Sequence, residues 1–264
     1  MDCSVFTMNY TYLPQFTTLM DNIKNIIFDY GNVIFALDFN KSRQAWTDLG
    51  ITDPDAFYSH QTQDKIFTDL DQGLVSDAEF REYIRRILNK PELTDAQIDN
   101  AWNALLVGVP AGNHELLLRL KQKYRTFLLS NTNAIHHKYF TAYLKNEYGL
   151  EGNDSLFEKV YYSHLVNKRK PNAEIFHQVL DENNLNPAET LFIDDSPQHI
   201  IAAGKLGIQT HLLTAPETIQ SFFRDKFCWN VGMLECWKIR TSSLKAIRFC
   251  YRHAMHASAL VVML

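Results

Sequence analysis

Short apolar runs recur along the chain and alternate with amphipathic stretches. The runs predict buried strands over residues 25–29, 126–129, 160–162, 190–193 and 209–213. Between the later runs, residues 114–124 and 173–183 repeat their apolar side chains at helical spacing. Strands that are buried on both faces and alternate with helices are typical of a mostly parallel sheet with helices on both sides. The pattern therefore predicts an α/β fold.

A long segment, residues 42–108, separates the first two predicted strands and contains no convincing strand of its own. Two stretches within it are predicted helices, 77–88 and 95–106. Ser76 can cap the first of these helices, with Glu79 completing a capping box, and Thr94 can cap the second. We expect this helical insertion to form a lid. Its large aromatic residues are expected to form its own core: Trp46, Tyr58, Phe67 and Trp102.

Charge is distributed unevenly over the 264 residues. Six of the 26 basic and one of the 30 acidic residues lie in 226–264, which leaves 20 basic and 29 acidic residues in 1–225. The formal charges are therefore +5 for the tail and −9 for the body. An acidic body argues against nucleic-acid binding as its main task. The tail, basic and then apolar, predicts either a poorly ordered extension or a segment that touches a membrane or partner.

No run of apolar residues approaches the length of a membrane span, and the first basic residue is Lys24, so no secretory signal is expected. A reducing, cytoplasmic location is the resulting prediction. All four cysteines lie outside residues 4–227. Cys228 and Cys236, with His253 and His256, lack the spacing of a zinc site. The adjacent pair His136-His137 is likewise interpreted as ordinary helix or loop surface.

Polar side chains follow the predicted strands at the points where the strands end, which is where open α/β sheets place their active sites. Asp29 ends the first strand and can act as a nucleophile or a metal ligand. Ser130 and Asn131 end the second strand and can donate hydrogen bonds to phosphate oxygens. Taken alone, each of these signals also fits an ordinary polar turn.

Two further signals follow the later strands. Lys170 precedes Pro171, which suits a first helical turn, so we expect Lys170 at a helix entrance. Alone, this segment also fits a solvated basic loop. Asp194 and Asp195 are adjacent after a hydrophobic strand, and their mutual repulsion must be offset. A hard cation that prefers oxygen ligands is the natural partner of such a pair.

The order acid, Ser-Asn, Lys-Pro and Asp-Asp, each after a strand, is more specific than any single signal. It resembles the haloacid dehalogenase superfamily, a large group of mostly Mg²⁺-dependent phosphatases. Residues 28–34, 130–133 and 169–171 look most like its glucose-1-phosphate phosphatase-like branch, and residues 73–80 are similar to that branch's helical cap. The resemblance spans about residues 24–215. It implies four parts: an N-terminal extension (1–20), a Rossmann-like core (21–41 and 109–225), a helical cap (42–108) and an unmatched tail (226–264).

The resemblance also implies roles for the residues at the strand ends. Asp29 would attack phosphorus and become an aspartyl-phosphate. Ser130 and Asn131 would hold the phosphoryl oxygens, and Lys170 would orient Asp29 and offset charge. The implied Mg²⁺ ligands are Asp29, Asp194, Asp195 and the backbone carbonyl of Gly31.

Two positions depart from the family pattern. Most phosphatases of the superfamily carry a second Asp two residues after the nucleophile, as general acid and base, and here that position is Gly31. The acid is therefore open between Asp194, a cap residue and a water. His199 stands where the family has Asn or Asp. A histidine can still donate a hydrogen bond there, but Mg²⁺ prefers oxygen, so direct coordination is not expected.

The sequence thus predicts a Mg²⁺-dependent phosphatase, monomer or homodimer, that hydrolyses a small phosphorylated metabolite such as a sugar phosphate. A closing cap would exclude large substrates. Neither nucleic acid nor a membrane is expected as a partner, with the role of the tail left open. Two alternatives stay open. One is a metal-independent 2-haloacid dehalogenase, which the acidic pair disfavours. The other is a catalytically silent phosphate-binding or interaction protein.

Overall fold

A computed structural model describes residues 18–51, 53 and 64–230 of the chain. Residues 22–220 form one compact unit, and residues 1–21 and 221–264 are assigned to a second. Most of the predicted N-terminal extension, the tail from residue 231 and Tyr58 lie outside the described residues. Within the described part of the chain, no helix has the length and apolar character that a membrane span needs.

Seven strands are found among the described residues. They are β1 (Asn25–Phe28), β2 (Ala36–Leu37), β3 (Leu106–Gly108), β4 (Arg125–Ser130), β5 (Lys159–Tyr162), β6 (Thr190–Asp194) and β7 (Gln209–Leu212). Five of them form one parallel sheet in the order β5-β4-β1-β6-β7. Every residue of β1 and β6 is buried, as expected for strands covered by helices on both faces. The predicted α/β fold is confirmed.

The helices alternate with these strands along the chain. They are α1 (Thr18–Asp21), α2 (Phe39–Asp48), α3 (Lys65–Asp71), α4 (Asp77–Ile87), α5 (Asp95–Asn103), α6 (Asn113–Lys121), α7 (Ala134–Tyr148), α8 (Ser163–Val166), α9 (Ala173–Asn183), α10 (Pro197–Gly204) and α11 (Ile219–Asn230), with a 3₁₀ turn at Pro187–Glu189. Helix α11 continues past the predicted core boundary at residue 225, because no Gly or Pro interrupts it before Gly232.

The described residues of the insertion form helices and, at its end, a strand, so the expectation of no strand is wrong. The predicted helix 95–106 ends at Asn103, and β3 begins at Leu106. Strand β3 pairs antiparallel with β2, which lies just before the insertion. A partner so distant in the sequence cannot be seen in the local pattern. The division into cap and core itself stays a prediction, since residues 22–220 form a single unit.

The inserted segment has its own hydrophobic core. The side chains of Trp46, Phe67 and Trp102 are buried together with apolar residues of α4 and α5, as predicted. The same cluster includes Ile135, from the first turn of α7. This core is therefore continuous with the helix that follows β4.

Both predicted caps of the insertion are present. The Ser76 Oγ accepts a hydrogen bond from the Glu79 backbone N–H at 3.3 Å, and the Glu79 carboxylate accepts one from the Ser76 N–H at 2.8 Å. Thr94 caps α5 in the same way, with Gln97 at the third position of the helix. Local sequence thus determines where these two helices begin.

Replacing Ser76 by Ala is expected to lower the free energy of unfolding by about 1 kcal/mol, because the first turn of α4 loses its side-chain acceptor. Chemical denaturation followed by circular dichroism measures this change. The control is Ser76→Thr, which keeps the hydroxyl and should stay within about 0.5 kcal/mol of wild type. Equal stabilities of Ser76→Ala and wild type would contradict this account.

Candidate active site

The sheet order brings three predicted site residues to one edge. Strands β4, β1 and β6 lie side by side, and Ser130, Asp29 and Asp194 stand at or just after their carboxyl ends. The Asp29 backbone N–H donates to the Ile193 carbonyl at 2.9 Å, so strand pairing continues through the nucleophile candidate. The backbone of Asp29 is therefore held by the sheet itself, a rigid support for a reacting group.

Lys170 connects two of these strand ends. Its side chain is fully buried, and its Nζ lies 2.6 Å from Asp29 Oδ1 and 2.6 Å from Asp194 Oδ2. Burial by itself would lower the pKa of Lys170, but the carboxylates of Asp29 and Asp194 outweigh it and raise the pKa. The ammonium therefore stays charged between two acids.

The two acids differ in their environment. Burial, supported by the negative charges of Asp194 and Asp195, raises the pKa of Asp29 to about 7, although Lys170 acts in the opposite direction. For Asp194, burial also opposes ionisation, but the charge of Lys170 and the hydrogen bond from His199 outweigh it and lower the pKa. Asp194 is thus held as a carboxylate, which removes it as a candidate proton donor.

Three carboxylates at this edge suit a divalent cation. Oxygen atoms of Asp29, Asp194 and Asp195 all lie within 4.8 Å of one another. Against the single ammonium of Lys170, the three carboxylates leave two negative charges. An all-oxygen donor set with this charge is what Mg²⁺ or Ca²⁺ binds. The residues present therefore fit the predicted metal ion.

Hydrogen bonds orient both aspartates of the adjacent pair. The His199 Nδ1 lies 2.9 Å from Asp194 Oδ1, which also accepts the Ser196 backbone N–H at 2.8 Å. The expected hydrogen bond from His199 is thus present. Asn32, which sequence reasoning missed, donates its Nδ2 to Asp195 Oδ2 at 2.9 Å. Asn32 has a φ of 55°, a left-handed conformation that Asn tolerates better than most residues.

Gly31, the first departure from the family pattern, lies against β2. A Cβ at this position would stand 2.8 Å from Leu37 Cδ1, so a side chain here would require Leu37 to move. The predicted metal contact through the Gly31 carbonyl stays a prediction. Position 31 has no acidic side chain, and Asp194 is ionised. The general acid is therefore left open between a cap residue and a water.

The Asn131 side chain contacts the backbone of Lys170. Its Nδ2 donates to the Lys170 carbonyl at 2.9 Å, and its Oδ1 accepts the Lys170 backbone N–H at 2.9 Å. The side chain therefore positions Lys170, and the phosphate contacts of Ser130 and Asn131 stay predictions. Helix α9 begins at Ala173, beyond Pro171, so the expected placement of Lys170 by a helix start is wrong. The two hydrogen bonds with Asn131 position the Lys170 backbone instead.

The two adjacent histidines belong to the packing around the cap. The ring of His136 stacks on Trp102, with centroids 5.1 Å apart, and its Nδ1 lies 2.8 Å from Asn103 Oδ1. Burial lowers the pKa of His136 to about 3, so the ring is neutral. His137 packs against Phe140 and Tyr162. Neither histidine belongs to the group of possible metal ligands found among the described residues. The prediction of an ordinary helix or loop surface is wrong, because both side chains are partly buried.

Replacing Asn32 by Gly should weaken Mg²⁺ binding by about 10-fold or more, because Asp195 loses the donor that orients it. Glycine keeps the positive φ, so backbone strain does not confuse the result. Isothermal titration calorimetry with Mg²⁺ measures the effect. Asn184→Gly is the matched control, since Asn184 has a φ of 53° at the end of α9 and should leave Mg²⁺ affinity unchanged. Equal affinities for the two variants would contradict the role of Asn32.

Comparison with known proteins agrees with this geometry. The family model of haloacid dehalogenase-like hydrolases matches residues 109–213. A D-ribitol-5-phosphate phosphatase from Bacteroides thetaiotaomicron is 34% identical over 190 residues, which cover 71% of this chain and 90% of the relative. A crystal structure of a haloacid dehalogenase family enzyme from the same species, an aspartate-to-alanine mutant in complex with magnesium and inorganic phosphate, superposes with a TM-score of 0.71. That match has 36% identity and covers 76% of this chain and 98% of that chain.

A third match comes from Porphyromonas gingivalis. Its haloacid dehalogenase-like hydrolase superposes with a TM-score of 0.68 and 34% identity, over 76% of this chain and 97% of that chain. These relatives are matched over nearly their whole length. The chain therefore belongs to the haloacid dehalogenase-like hydrolases, as the order of its motifs predicts.

Proposed function

We propose that this protein is a Mg²⁺-dependent phosphomonoesterase that hydrolyses a small phosphorylated polyol or sugar through a covalent aspartyl-phosphate. One observation carries the proposal: the buried ammonium of Lys170 lies 2.6 Å from both Asp29 and Asp194, beside a third carboxylate. A nucleophile, a fixed positive charge and an all-oxygen metal site are thereby combined at one sheet edge. Phosphoryl transfer requires these three parts, because it depends mainly on positioning and charge stabilisation.

In the proposed reaction, a carboxylate oxygen of Asp29 forms a bond to phosphorus, and the bond from phosphorus to the substrate oxygen breaks. Water then attacks the same phosphorus, which releases inorganic phosphate and restores Asp29. Lys170 fixes the rotation of the Asp29 carboxylate through Oδ1 and offsets its charge. When bound by Asp29, Asp194 and Asp195, Mg²⁺ supplies the positive charge that lets an anionic phosphate approach an anionic nucleophile.

The substrate class is supported by relationship and by architecture. The relative from Bacteroides thetaiotaomicron, matched over 90% of its length, is a D-ribitol-5-phosphate phosphatase. A substrate of that size suits the helical insertion that the sequence predicts as a lid. The leaving alcohol of such a substrate is poor, so its proton must come from a cap residue or from water.

The dehalogenase alternative fits the site less well. Displacement of halide from carbon has no use for three carboxylates gathered within 4.8 Å, whose repulsion a cation relieves. The silent alternative is motivated by Gly31, His199 and the unmatched tail, most of which lies outside the described residues. Since His199 donates to Asp194, its presence gives no reason to expect a broken site.

Replacing Asp29 by Asn is expected to reduce hydrolysis of p-nitrophenyl phosphate to background, because an amide cannot form the acyl phosphate. Removing Mg²⁺ from wild type with EDTA should have the same effect, and added Mg²⁺ should restore the rate. Asp181→Asn, on the exposed face of α9, is the control and should keep the wild-type rate. Background rates for wild type in Mg²⁺ would favour the silent alternative, and Mg²⁺-independent chloride release from 2-haloacids would favour the dehalogenase.

A panel of phosphate esters tests the substrate class. We expect kcat/KM for polyol and sugar phosphates such as D-ribitol 5-phosphate to exceed that for nucleoside monophosphates by about 10-fold or more. One lost hydrogen-bonded contact is worth about this factor. Release of inorganic phosphate measures the rates. A flat profile across the panel would contradict the polyol proposal and leave the phosphatase class intact.

A further inference from the structure

The cap helix α3 ends against the two loops that carry active-site residues. Its last residue, Asp71, accepts a hydrogen bond from Asn133 Nδ2 at 3.3 Å through Oδ1. Through Oδ2 it forms an ion pair with the Arg169 guanidinium at 3.7 Å. Asn133 lies three residues after Ser130, and Arg169 directly precedes Lys170. One carboxylate of the cap therefore contacts both loops.

Asn133 is held by its other polar atom as well. Its Oδ1 accepts the backbone N–H of His136 at 3.0 Å, which caps α7, and the Trp102 Nε1–H at 3.4 Å. The side chain is 1% exposed, so these contacts are made in a dry environment, where polar groups are costly to leave unpaired. The loop from Ser130 to Asn133 thus depends on the cap for part of its hydrogen bonding.

Arg169 depends on α3 in a similar way. Its NH1 donates to Thr68 Oγ1 at 3.1 Å, and its NH2 faces Asp71. Its Nε is buried and has no hydrogen-bond partner among the described residues. Among the described residues, this guanidinium is therefore held by its two contacts to α3.

The rest of the loop before Lys170 contacts the residues at the end of α3. Asn167, with a φ of 54°, donates its Nδ2 to the Gln72 carbonyl at 2.7 Å, and the Gln72 amide returns a bond to the Asn167 carbonyl at 3.4 Å. Gly73 approaches the loop so closely that an added Cβ would stand 2.2 Å from the His164 carbonyl oxygen. The segment 164–169 is thus held against the cap at several points.

We propose that Asp71 is a positioning residue that makes catalysis depend on the docked cap. It holds the loops 130–133 and 164–170 so that Lys170 stays in contact with Asp29, and it does not itself exchange a proton with the substrate. The inference rests on the proposed phosphatase function for its kinetic test. The structural part of the proposal is that one cap carboxylate orders the two loops. This part does not depend on the identity of the substrate.

The kinetic test compares Asp71→Asn with Asp69→Asn, which changes a partly buried acid two residues earlier on the same helix, paired with Lys65 of the first turn. Asp71→Asn should lower kcat by about 10- to 100-fold, because small displacements of catalytic groups cost up to about 10²-fold in rate. The KM should change by less than about 3-fold, since the phosphate ligands themselves remain. Asp69→Asn should match wild type in both constants. A wild-type kcat for Asp71→Asn would overturn the proposal.

Leaving-group dependence separates positioning from proton transfer. The loss in Asp71→Asn should be the same for p-nitrophenyl phosphate, whose leaving group needs no proton, and for an alkyl phosphate, whose leaving group does. A loss confined to the alkyl phosphate would overturn the proposal and make Asp71 the missing acid. If Asp71→Asn has the wild-type kcat at temperatures well below its own melting temperature, Asp71 contributes to stability alone, and the proposal is overturned.

A second variant removes another contact without touching Asp71. Asn167→Gly keeps the positive φ and deletes the side-chain bond to Gln72, with Asn184→Gly as its matched control. We expect a smaller loss of kcat in Asn167→Gly and none in the control. Wild-type kcat in Asn167→Gly would contradict a dependence of Lys170 on the docked loop.

Hydrogen exchange gives a readout that needs no activity. In Asp71→Asn the backbone N–H of Lys170, which donates to Asn131, should exchange faster than in Asp69→Asn. An inactive wild type would refute the proposed function, and the exchange rates would still decide whether Asp71 orders the loop. Equal exchange in the two variants would overturn the inference.

Discussion

The site depends on one buried ammonium held between two carboxylates. An unpaired charge in a protein interior is so costly that it shifts its pKa and is neutralised, and Lys170 keeps its charge because Asp29 and Asp194 stand on either side. The dependence is mutual, since removing one member of such a group leaves an uncompensated buried charge, at a cost of roughly 3–5 kcal/mol. The sheet meets this requirement by ending β1 and β6 side by side.

The position of the ammonium is determined through its backbone as well as its charge. Asn131, at the end of β4, exchanges two hydrogen bonds with the backbone of Lys170. Arg169, the preceding residue, contacts α3 of the cap. Strand β4 and the inserted helix α3 thus both contribute to placing one side chain.

The members of the site differ in how far the sequence predicted them. Asp29, Lys170, Asp194 and Asp195 follow from acids and a lysine at strand ends, and the structure brings them together. Asn32 and Asp71 were missed, because an Asn in a turn and an Asp at a helix end are common and carry no signal until their partners are known. The contact of Asn131 with Lys170 was also missed, because it joins residues 39 positions apart.

The sequence by itself determined the five strands of the parallel sheet, the capped helices of the insertion and the family, because apolar periodicity, capping boxes and motif order are properties of neighbouring residues. The tertiary structure decided the strand order β5-β4-β1-β6-β7, the pairing of β2 with β3 and the contacts between cap and loops. Those features depend on residues far apart in the chain, whose association is governed by packing and burial of the whole unit. The motifs were therefore enough to predict the chemistry. The contacts by which the inserted helix α3 supports the loop of Lys170 were visible only in the fold.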